Sequence, residues 1–320
     1  MNLDIKVKVQ ASWAKENQKQ VKNFLNYLCS EKCNNRWKNL LLVDYEDPDY
    51  DYEVIFNYPI FDGFDPSKTI VFHSEPSQTR EVVNIFSEDR YNFQFCCGKE
   101  DEFFKVLYQD DLFCFDPAWK VWMPYLRLKR TNFEKYREFS ALISDAEYTE
   151  NHKERKSFIL NHLYNIDNFI HYGRGNFDKH KCYRGEAMYV SEAYSPFKYT
   201  FSVERYTENN YFTEKIRDPI FCETLSFYNG CPNISDFIDP RCYININLFD
   251  TEETLHIINK SIEDKEWEKR IEFIRNEKIR LMDDLNPLNI IWSVINNEKI
   301  ITFKDIKEDL NEENKIDIGI

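Results

Sequence analysis

Strand-like and helix-like segments alternate along the first half of this 320-residue chain, and this order constrains the fold more than any other feature. In residues 5–9 (IKVKV), apolar side chains recur at every second position, which is the period of a half-buried strand. Residues 17–29 follow with apolar side chains at helical spacing. Further strands are predicted at residues 40–43, 53–56 and 68–73, and a further helix at 77–86. This order predicts an α/β sheet covered by helices.

A second set of such segments begins after a polar and charged stretch at residues 127–138. Pro219 is expected to end or kink a short helix at residues 211–218. The sequence therefore predicts an N-terminal Rossmann-like domain at residues 1–135, a C-terminal one at 136–300, and an acidic tail at 301–320. In the second domain, helices are predicted at 153–163, 211–218 and over most of 251–295, and strands at 141–144, 168–172, 198–203, 225–228 and 243–246.

The composition argues against several classes of protein. The formal net charge is −14 and no basic stripe is visible, so neither nucleic acid nor an anionic membrane is the expected partner. No signal-peptide core and no apolar run of about eighteen residues occurs, so no membrane span is predicted. The nine cysteines include no C-x-x-C pair and fit a disulfide framework poorly. Together these features predict a soluble, cytoplasmic protein.

Ligands of open α/β sheets bind outside the carboxyl ends of the strands, so residues that follow strands are the first candidates for a site. The strand at 198–203 leads through a short loop to a helix that opens at Thr213-Glu214-Lys215. A helix N-terminus attracts phosphate, and Lys215 adds a positive charge there. The Glu214 carboxylate can accept both hydroxyl groups of a ribose. The same pattern also fits an ordinary capped helix with an acidic first turn.

Two other charged residues follow predicted strands. Arg155 lies on the helix after strand 141–144, and its guanidinium can bind a diphosphate through two hydrogen bonds. Glu75 follows the strand at 68–73, where a carboxylate is well placed to act as a general base. A solvated arginine on a helix face and a solvated glutamate in a loop explain the same patterns.

Two of only seven glycines, Gly173 and Gly175, follow the strand at 168–172. They predict a tight turn or a close approach of the backbone to another group. No metal site is predicted, because no second pair of ligands accompanies the closely spaced cysteine and histidine residues.

Three runs of the second half resemble a known family in the order in which they occur. They are Lys198-Tyr199-x-Phe201-x-Val203-Glu204, Tyr211-Phe212-Thr213-Glu214-Lys215-Ile216 and Phe227-Tyr228-Asn229-Gly230. They are similar to the K-F-x-x-x-F-E-N-S, Y-x-T-E-K and P-x-x-x-G elements of the α-1,3/4-fucosyltransferases, glycosyltransferase family ten. Residues 169–175 resemble that family's V-D-x-F-G-R-x-G element. Ser74-Glu75-Pro76 resembles the segment that carries its catalytic base.

The resemblance implies a GT-B fold, in which two Rossmann-like domains face a central cleft. It implies that fucose is transferred from GDP-fucose, with inversion, to a hydroxyl of a glycan or glycoprotein acceptor. It further implies that no cofactor and no obligatory divalent metal is required. Two alternatives remain open: a transferase of the same fold that uses another nucleotide sugar, and a non-catalytic, glycan-binding relative.

The resemblance also implies roles for individual residues. Glu75 would be the general base, Arg155 and Lys215 would bind the diphosphate, and Glu214 would bind the ribose. Arg205 and Tyr206 stand where the family has Asn-Ser, and this departure is expected to affect phosphate binding or the choice of donor sugar. The donor-binding residues implied by the match are Arg155, Glu204, Arg205, Tyr211, Thr213, Glu214 and Lys215.

Overall fold

The computed structural model describes residues 3–14, 17–57, 64–78, 103–107, 111–113, 119–177 and 180–308. The chain divides into two compact units. Unit 1 comprises Met1–Ala118, Met123–Leu128 and Asn286–Lys299, whereas unit 2 comprises Trp119–Trp122, Lys129–Leu285 and Ile300–Ile320. Each unit contains one sheet of mostly parallel strands.

Most of the predicted strands are confirmed to within two residues at each end. The strand predicted at 141–144 instead begins at Arg137, because its polar first residues pair with the neighbouring strand. The described strands are β1 (Ile5–Ala11), β2 (Arg36–Trp37), β3 (Leu40–Leu42), β4 (Tyr52–Phe56), β5 (Thr69–Phe72), β6 (Lys105–Leu107), β7 (Arg137–Leu142), β8 (Phe169–Tyr172), β9 (Phe197–Val203), β10 (Leu225–Asn229) and β11 (Tyr243–Asn245).

The predicted helices are confirmed at 17–29, 153–163 and, as three separate helices, within 251–295. Of the helix predicted at 77–86, residues 79–86 lie outside the described ranges. The described helices are α1 (Lys19–Cys29), α2 (Tyr125–Arg130), α3 (Glu150–Asn161), α4 (Ser191–Tyr194), α5 (Glu214–Phe221), α6 (Thr251–Glu263), α7 (Glu266–Asp283) and α8 (Pro287–Asn296).

The sheet of unit 1 has the strand order β2-β3-β1-β4-β5-β6, and only the pairing of β2 with β3 is antiparallel among the described strands. Along β1, Val7, Val9 and Ala11 are buried, as expected for a central strand. Helix α1 buries its apolar face, including Leu25 and Leu28. From β1 the chain continues first to β3 on one side and then to β4 on the other, so the order reverses between β1 and β4.

The sheet of unit 2 has the order β11-β10-β9-β7-β8, and all of its described pairings are parallel. Its central strand β9 buries every residue except Lys198, which is half-buried. The strand order here reverses between β7 and β9. Ligands of such sheets bind at the reversal point, outside the carboxyl ends of the two strands.

Helix α8 belongs to unit 1, although the sequence assigned residues 136–300 to the C-terminal domain. The indole N–H of Trp292 donates to Asn39 Oδ1 at 2.7 Å, and that of Trp37 donates to Asn289 Oδ1 at 3.0 Å. The amide of Asn286 donates to the carbonyl of Cys29 at 3.0 Å. These hydrogen bonds join α8 to α1 and β2, which lie more than 250 residues earlier in the chain.

Most of the described cysteines are buried. Within the described ranges, none of the helices combines the length and the apolar composition needed to cross a bilayer.

Candidate functional site

A cavity of about 400 Å³ lies in unit 2 at the carboxyl ends of β7 and β8. Its size is within the range of small-molecule sites. Four cationic side chains line it together with two carboxylates, so its lining is cationic on balance. The lining residues are Lys120, Leu142, Ile143, Ser144, Arg155, Gly173, Arg174, Glu186, Ala187, Val190, Tyr194, Glu214 and Lys215.

Helix α5 brings two of these residues to the cavity. It begins at Glu214, because the hydroxyl of the N-cap residue Thr213 accepts a hydrogen bond from the backbone N–H of Lys215 at 3.4 Å. The prediction of a helix at 211–218 was wrong in its bounds, because the helix begins three residues later and continues through Pro219 to Phe221. Proline removes one backbone donor, but the backbone N–H of residue 222 still reaches the carbonyl of residue 218 at 3.0 Å.

The carboxylate of Glu204 is fully buried and holds this helix start in place. One of its oxygens accepts from the backbone N–H of Thr213 at 2.9 Å, and the other accepts from the Thr213 hydroxyl at 2.8 Å. The ammonium of Lys215 lies 3.3 Å from the same carboxylate. A Cβ atom on Gly230 would lie 2.5 Å from Glu204 Cγ, so only glycine leaves room for this arrangement. Glu204 therefore positions Thr213 and Lys215 from below the surface of the site.

Lys215 and Glu214 form a charged pair at the edge of the cavity. Lys215 Nζ lies 3.4 Å from Glu214 Oε1, and Lys120 Nζ lies 2.8 Å from the same oxygen. Burial opposes the charged form of Lys215, but Glu204 and Glu214 outweigh it and raise the pKa of Lys215. Burial likewise opposes the charged form of Glu214, but Lys215 and Lys120 hold its pKa well below the usual value. Both groups are therefore ionised at neutral pH.

Arg155, on α3, is 4% exposed and lines the same cavity. Its Nη1 donates to the carbonyl of Val203 at 3.1 Å, whereas its buried Nε–H has no hydrogen-bond partner within the described ranges. No carboxylate among the described residues lies within ion-pair distance of this guanidinium. Burial lowers the pKa of Arg155 to about 10, so the group still carries its charge at neutral pH. Among the described residues this buried cation forms no ion pair, although the Glu204 and Glu214 carboxylates act on it from a longer distance.

The loop between β9 and α5 carries the other predicted donor-binding residues. Asn151 fixes this loop by donating to the Glu204 carbonyl and to the Thr207 hydroxyl, both at 3.1 Å. Tyr211 is 2% exposed, and the guanidinium of Arg205 lies 5.7 Å from the ring of Tyr206. Of the predicted donor-binding set, Arg155, Glu214 and Lys215 line the cavity, and Glu204, Arg205, Tyr211 and Thr213 do not.

Two cationic lining residues, Lys120 and Arg174, were missed by the sequence reasoning. Lys120 belongs to the short segment Trp119–Trp122, whose backbone N–H at residue 120 donates to the Asp218 carboxylate at 3.0 Å. Trp119 is fully buried against Phe221, with ring centroids 5.0 Å apart. No local pattern reveals these contacts, because they join α5 to a segment nearly a hundred residues earlier. Arg174 could have been identified from the sequence, because it lies between Gly173 and Gly175, which predict a close backbone approach after a strand.

The predicted close approach at the two glycines is confirmed. A Cβ atom on Gly173 would lie 1.9 Å from the carbonyl oxygen of Ile143, and one on Gly175 would lie 2.3 Å from Asp145 Cγ. Both residues also have positive φ angles, +149° and +138°, which other residues rarely adopt. The loop after β8 can therefore pack directly against the end of β7 and form one wall of the cavity.

Glu75 lies in unit 1, after β5, as predicted from the strand pattern. Its neighbour Ser74 donates its backbone N–H and its hydroxyl to Asn57 Oδ1, at 2.9 and 2.7 Å. The Asn57 amide in turn donates to the Ser12 hydroxyl at 3.4 Å. Glu75 thus stands at the carboxyl edge of the unit 1 sheet, near the reversal point. Throughout the described part of the chain, no cluster of three or more His, Cys, Asp and Glu side chains is arranged to hold a metal ion.

No protein-family model matches the chain, and no curated protein matches it in sequence. Solved structures do resemble it. An α1,3-fucosyltransferase with GDP aligns with a TM-score of 0.53 and 15% identity, over 95% of this chain and 93% of that one. A β-glucosyltransferase that modifies DNA aligns with a TM-score of 0.54 and 10% identity, over 91% of this chain and 99% of that one.

An α-glucosyltransferase in complex with UDP and DNA also aligns, with a TM-score of 0.54 and 12% identity, over 91% of this chain and all of that one. At sequence identities of 10–15%, this similarity establishes a shared fold and not a shared activity. Together with the two parallel sheets, it confirms the predicted α/β fold of the GT-B class.

Proposed function

We propose that this protein is an inverting glycosyltransferase that binds GDP-fucose in the unit 2 cavity and transfers the fucose to a glycan hydroxyl. The observation that carries the proposal is the buried guanidinium of Arg155, which forms no ion pair with the described residues and leaves its Nε–H open. A buried charge without a partner is costly, whereas a bound anion would supply the missing counter-charge and accept from the open Nε–H. A diphosphate offers oxygens in the geometry that a guanidinium binds best.

The rest of the cavity favours a diphosphate over a single small anion. Lys215 and the N-terminus of α5 add positive charge on one side, and Lys120 and Arg174 add more. A volume of about 400 Å³ has room for part of a nucleotide as well as the phosphates. The cavity lies beside the strand-order reversal, because the end of β7 and Lys215 on the helix after β9 both line it, and this is the usual place for such ligands in α/β sheets.

The reaction we propose is a single displacement. The acceptor hydroxyl oxygen attacks the anomeric carbon of the donor and gives its proton to Glu75, while the bond from that carbon to the diphosphate oxygen breaks. Negative charge develops on the departing diphosphate. Arg155, Lys215 and the start of α5 lie where this charge is expected, which is how preorganised positive groups lower a barrier.

GDP-fucose is the preferred donor because the motifs resemble those of fucosyltransferases and a fucosyltransferase with GDP has the same fold. A different nucleotide sugar is the second candidate. The presence of Arg205 and Tyr206 in place of the family's Asn-Ser favours a different donor sugar, because both residues follow β9, next to the helix that lines the cavity. Two of the structures with this fold are glucosyltransferases. For the acceptor, a net charge of −14 favours a glycan over DNA.

A thermal-shift series with GDP, UDP, GDP-fucose and UDP-glucose tests the donor. A ligand at about 100 times its Kd stabilises the folded state by about 2.7 kcal/mol, which raises the melting temperature measurably. We expect GDP and GDP-fucose to stabilise the protein. A larger effect of the uridine nucleotides would select the second candidate, and no effect of any nucleotide would contradict the assignment of the cavity.

Arg155→Ala tests the observation on which the proposal rests. We expect it to weaken GDP binding at least about 100-fold by calorimetry, because a charge-assisted bidentate contact is among the stronger hydrogen bonds. Lys153→Ala is the matched control, since Lys153 is exposed on the same helix. Equal GDP affinity in both variants would contradict the role of Arg155.

Turnover is tested by incubation with GDP-fucose and a panel of oligosaccharides, with the products read by mass. Glu75→Gln should keep its affinity for GDP and lose about 10²–10⁴-fold in rate, the usual contribution of a general base. Normal turnover in that variant would remove Glu75 from the role. Binding of glycans without release of GDP would favour the non-catalytic alternative.

A further inference from the structure

An exposed tryptophan lies at the strand-order reversal of unit 1. Trp13 follows β1 and is 53% exposed, and its ring centroid lies 5.9 Å from that of Phe56 at the end of β4. Phe56 in turn stacks on Phe72 at the end of β5, with centroids 6.0 Å apart. Phe56 and Phe72 are buried, so Trp13 is the exposed end of an aromatic row across three strand ends.

The turn that carries Trp13 is fixed by a buried side chain. The Gln18 amide accepts from the backbone N–H of Ala11 at 2.9 Å and donates to the carbonyls of Ala11 and Ala14 at 3.3 and 2.7 Å. The backbone N–H of Ala14 also donates to the Ala11 carbonyl at 3.1 Å. This clamp fixes the backbone that carries the indole, and the ring contact with Phe56 orients the side chain. A rigid aromatic surface binds a ligand without the cost of ordering a loop.

Asn57 connects this turn to the loop of the proposed general base. Its amide donates to the Ser12 hydroxyl and its oxygen accepts from Ser74, as described above. Asn57 adopts a left-handed conformation, with φ of +71°, which asparagine tolerates better than most residues. One side chain therefore ties the residue before Trp13 to the residue before Glu75. The ends of β1 and β5 are two strand spacings apart, about 10 Å.

We propose that Trp13 is the stacking platform for the acceptor, a neutral saccharide whose pyranose ring lies flat on the exposed indole. This inference rests on the proposed function and names the acceptor's binding residue. One face of a pyranose carries a patch of C–H bonds, and the negative face of an indole attracts such polarised hydrogens. The hydroxyls at the rim of the sugar then lie at the edge of the sheet that carries Glu75.

The first test compares kinetic constants, with the oligosaccharide that the wild-type protein turns over. Trp13→Ala should raise the KM for this acceptor by about tenfold or more, as loss of a central aromatic contact does, and leave the KM for GDP-fucose unchanged. The acceptor KM of Trp13→Phe, which keeps an aromatic ring, should lie between those of the wild-type protein and Trp13→Ala. Phe104→Ala is the control, because Phe104 is 37% exposed in unit 1 but lies at the amino end of β6. An unchanged acceptor KM in Trp13→Ala would overturn the proposal.

The second test separates this inference from the proposed function. The protein is labelled with 5-fluorotryptophan, and the ¹⁹F signal of Trp13 is assigned by its absence in Trp13→Phe. Neutral oligosaccharides of the panel should shift this signal and leave the other tryptophan signals in place. A protein that binds GDP and transfers fucose without any such shift would overturn the platform alone. A shift at Trp13 in a protein that transfers no sugar would support the platform and refute the proposed reaction.

Discussion

Replacing Glu204 by glutamine tests whether this carboxylate supports the site instead of contacting the donor. The carboxylate is fully buried and lies 3.3 Å from the Lys215 ammonium. Removing one partner of a buried ion pair costs about 3–5 kcal/mol. Lys215 keeps Glu214 at 3.4 Å and its side chain is 26% exposed, so the lower end of that range applies. We expect Glu204→Gln to lower the free energy of unfolding by about 3 kcal/mol.

The mechanism of this loss is tested by a double-mutant cycle with Lys215→Met. That variant leaves the Glu204 carboxylate buried without its cation, so it should also be destabilised by about 3 kcal/mol. The double variant has no buried charge at either position. Its destabilisation should therefore be smaller than the sum of the two single effects, by about 1–3 kcal/mol.

Urea unfolding without nucleotide measures these values, since the shift of the midpoint at constant slope reports stability alone. Glu154→Gln is the matched control, because Glu154 is exposed on α3 and should change stability by less than about 0.5 kcal/mol. Strictly additive single effects would refute the buried pair. A Glu204→Gln protein with wild-type stability and a raised KM for the donor would show that Glu204 contacts the sugar instead.

Three other predictions follow from the structure. Gly173→Ala should lower the free energy of unfolding in urea by about 3 kcal/mol or more, because its Cβ would lie 1.9 Å from the Ile143 carbonyl oxygen. Gly185→Ala should lower it by about 1 kcal/mol, because residue 185 has a φ of +82° but open space around the added Cβ. Burial lowers the pKa of His171 to about 4, below the value of about 6.5 in the unfolded chain. The contribution of His171 to the free energy of unfolding is therefore present above about pH 6.5 and is lost as the pH falls to about 4. His171→Gln should flatten this part of the pH profile of unfolding. Lys120→Ala should weaken GDP binding about fivefold by calorimetry, the effect of one partly exposed charge; an unchanged Kd would contradict its place in the site.

The strands were predictable because their signals are local. In β9 apolar side chains alternate with polar ones from residue 197 to 203, which identifies a strand. The structure buries all of it but Lys198, because the strand is central in its sheet. The start of α5 was predictable from Thr213, a preferred capping residue, but its end was not. Pro219 favoured an early stop, and the helix instead continues because the buried hydrogen bonds and packing around it outweigh one lost donor.

The assignment of α8 to unit 1 and the place of Lys120 were beyond the reach of the sequence. Trp292 forms a hydrogen bond with Asn39, more than 250 residues earlier in the chain. Lys120 contacts Glu214 from the four-residue segment Trp119–Trp122, which belongs to unit 2 although the chain on both sides of it belongs to unit 1. Neither pairing leaves a period or a motif in the chain. For Glu204, the sequence marked an important residue but not its burial. Only the distances to Thr213 and Lys215 reveal that its charge is already neutralised within the protein.

The two sheets use the same order of parallel strands for different chemistry. Beside its reversal point, unit 2 carries four cations, and among the described residues Arg155 is the one of these that forms no ion pair. At the equivalent point, unit 1 carries the exposed Trp13, which stacks against Phe56 and follows Ser12, the hydrogen-bond partner of Asn57. The charged donor and the neutral acceptor that we propose fit this division. Substitutions at Arg155 should therefore change the KM for the donor, and those at Trp13 the KM for the acceptor, with little exchange between the two.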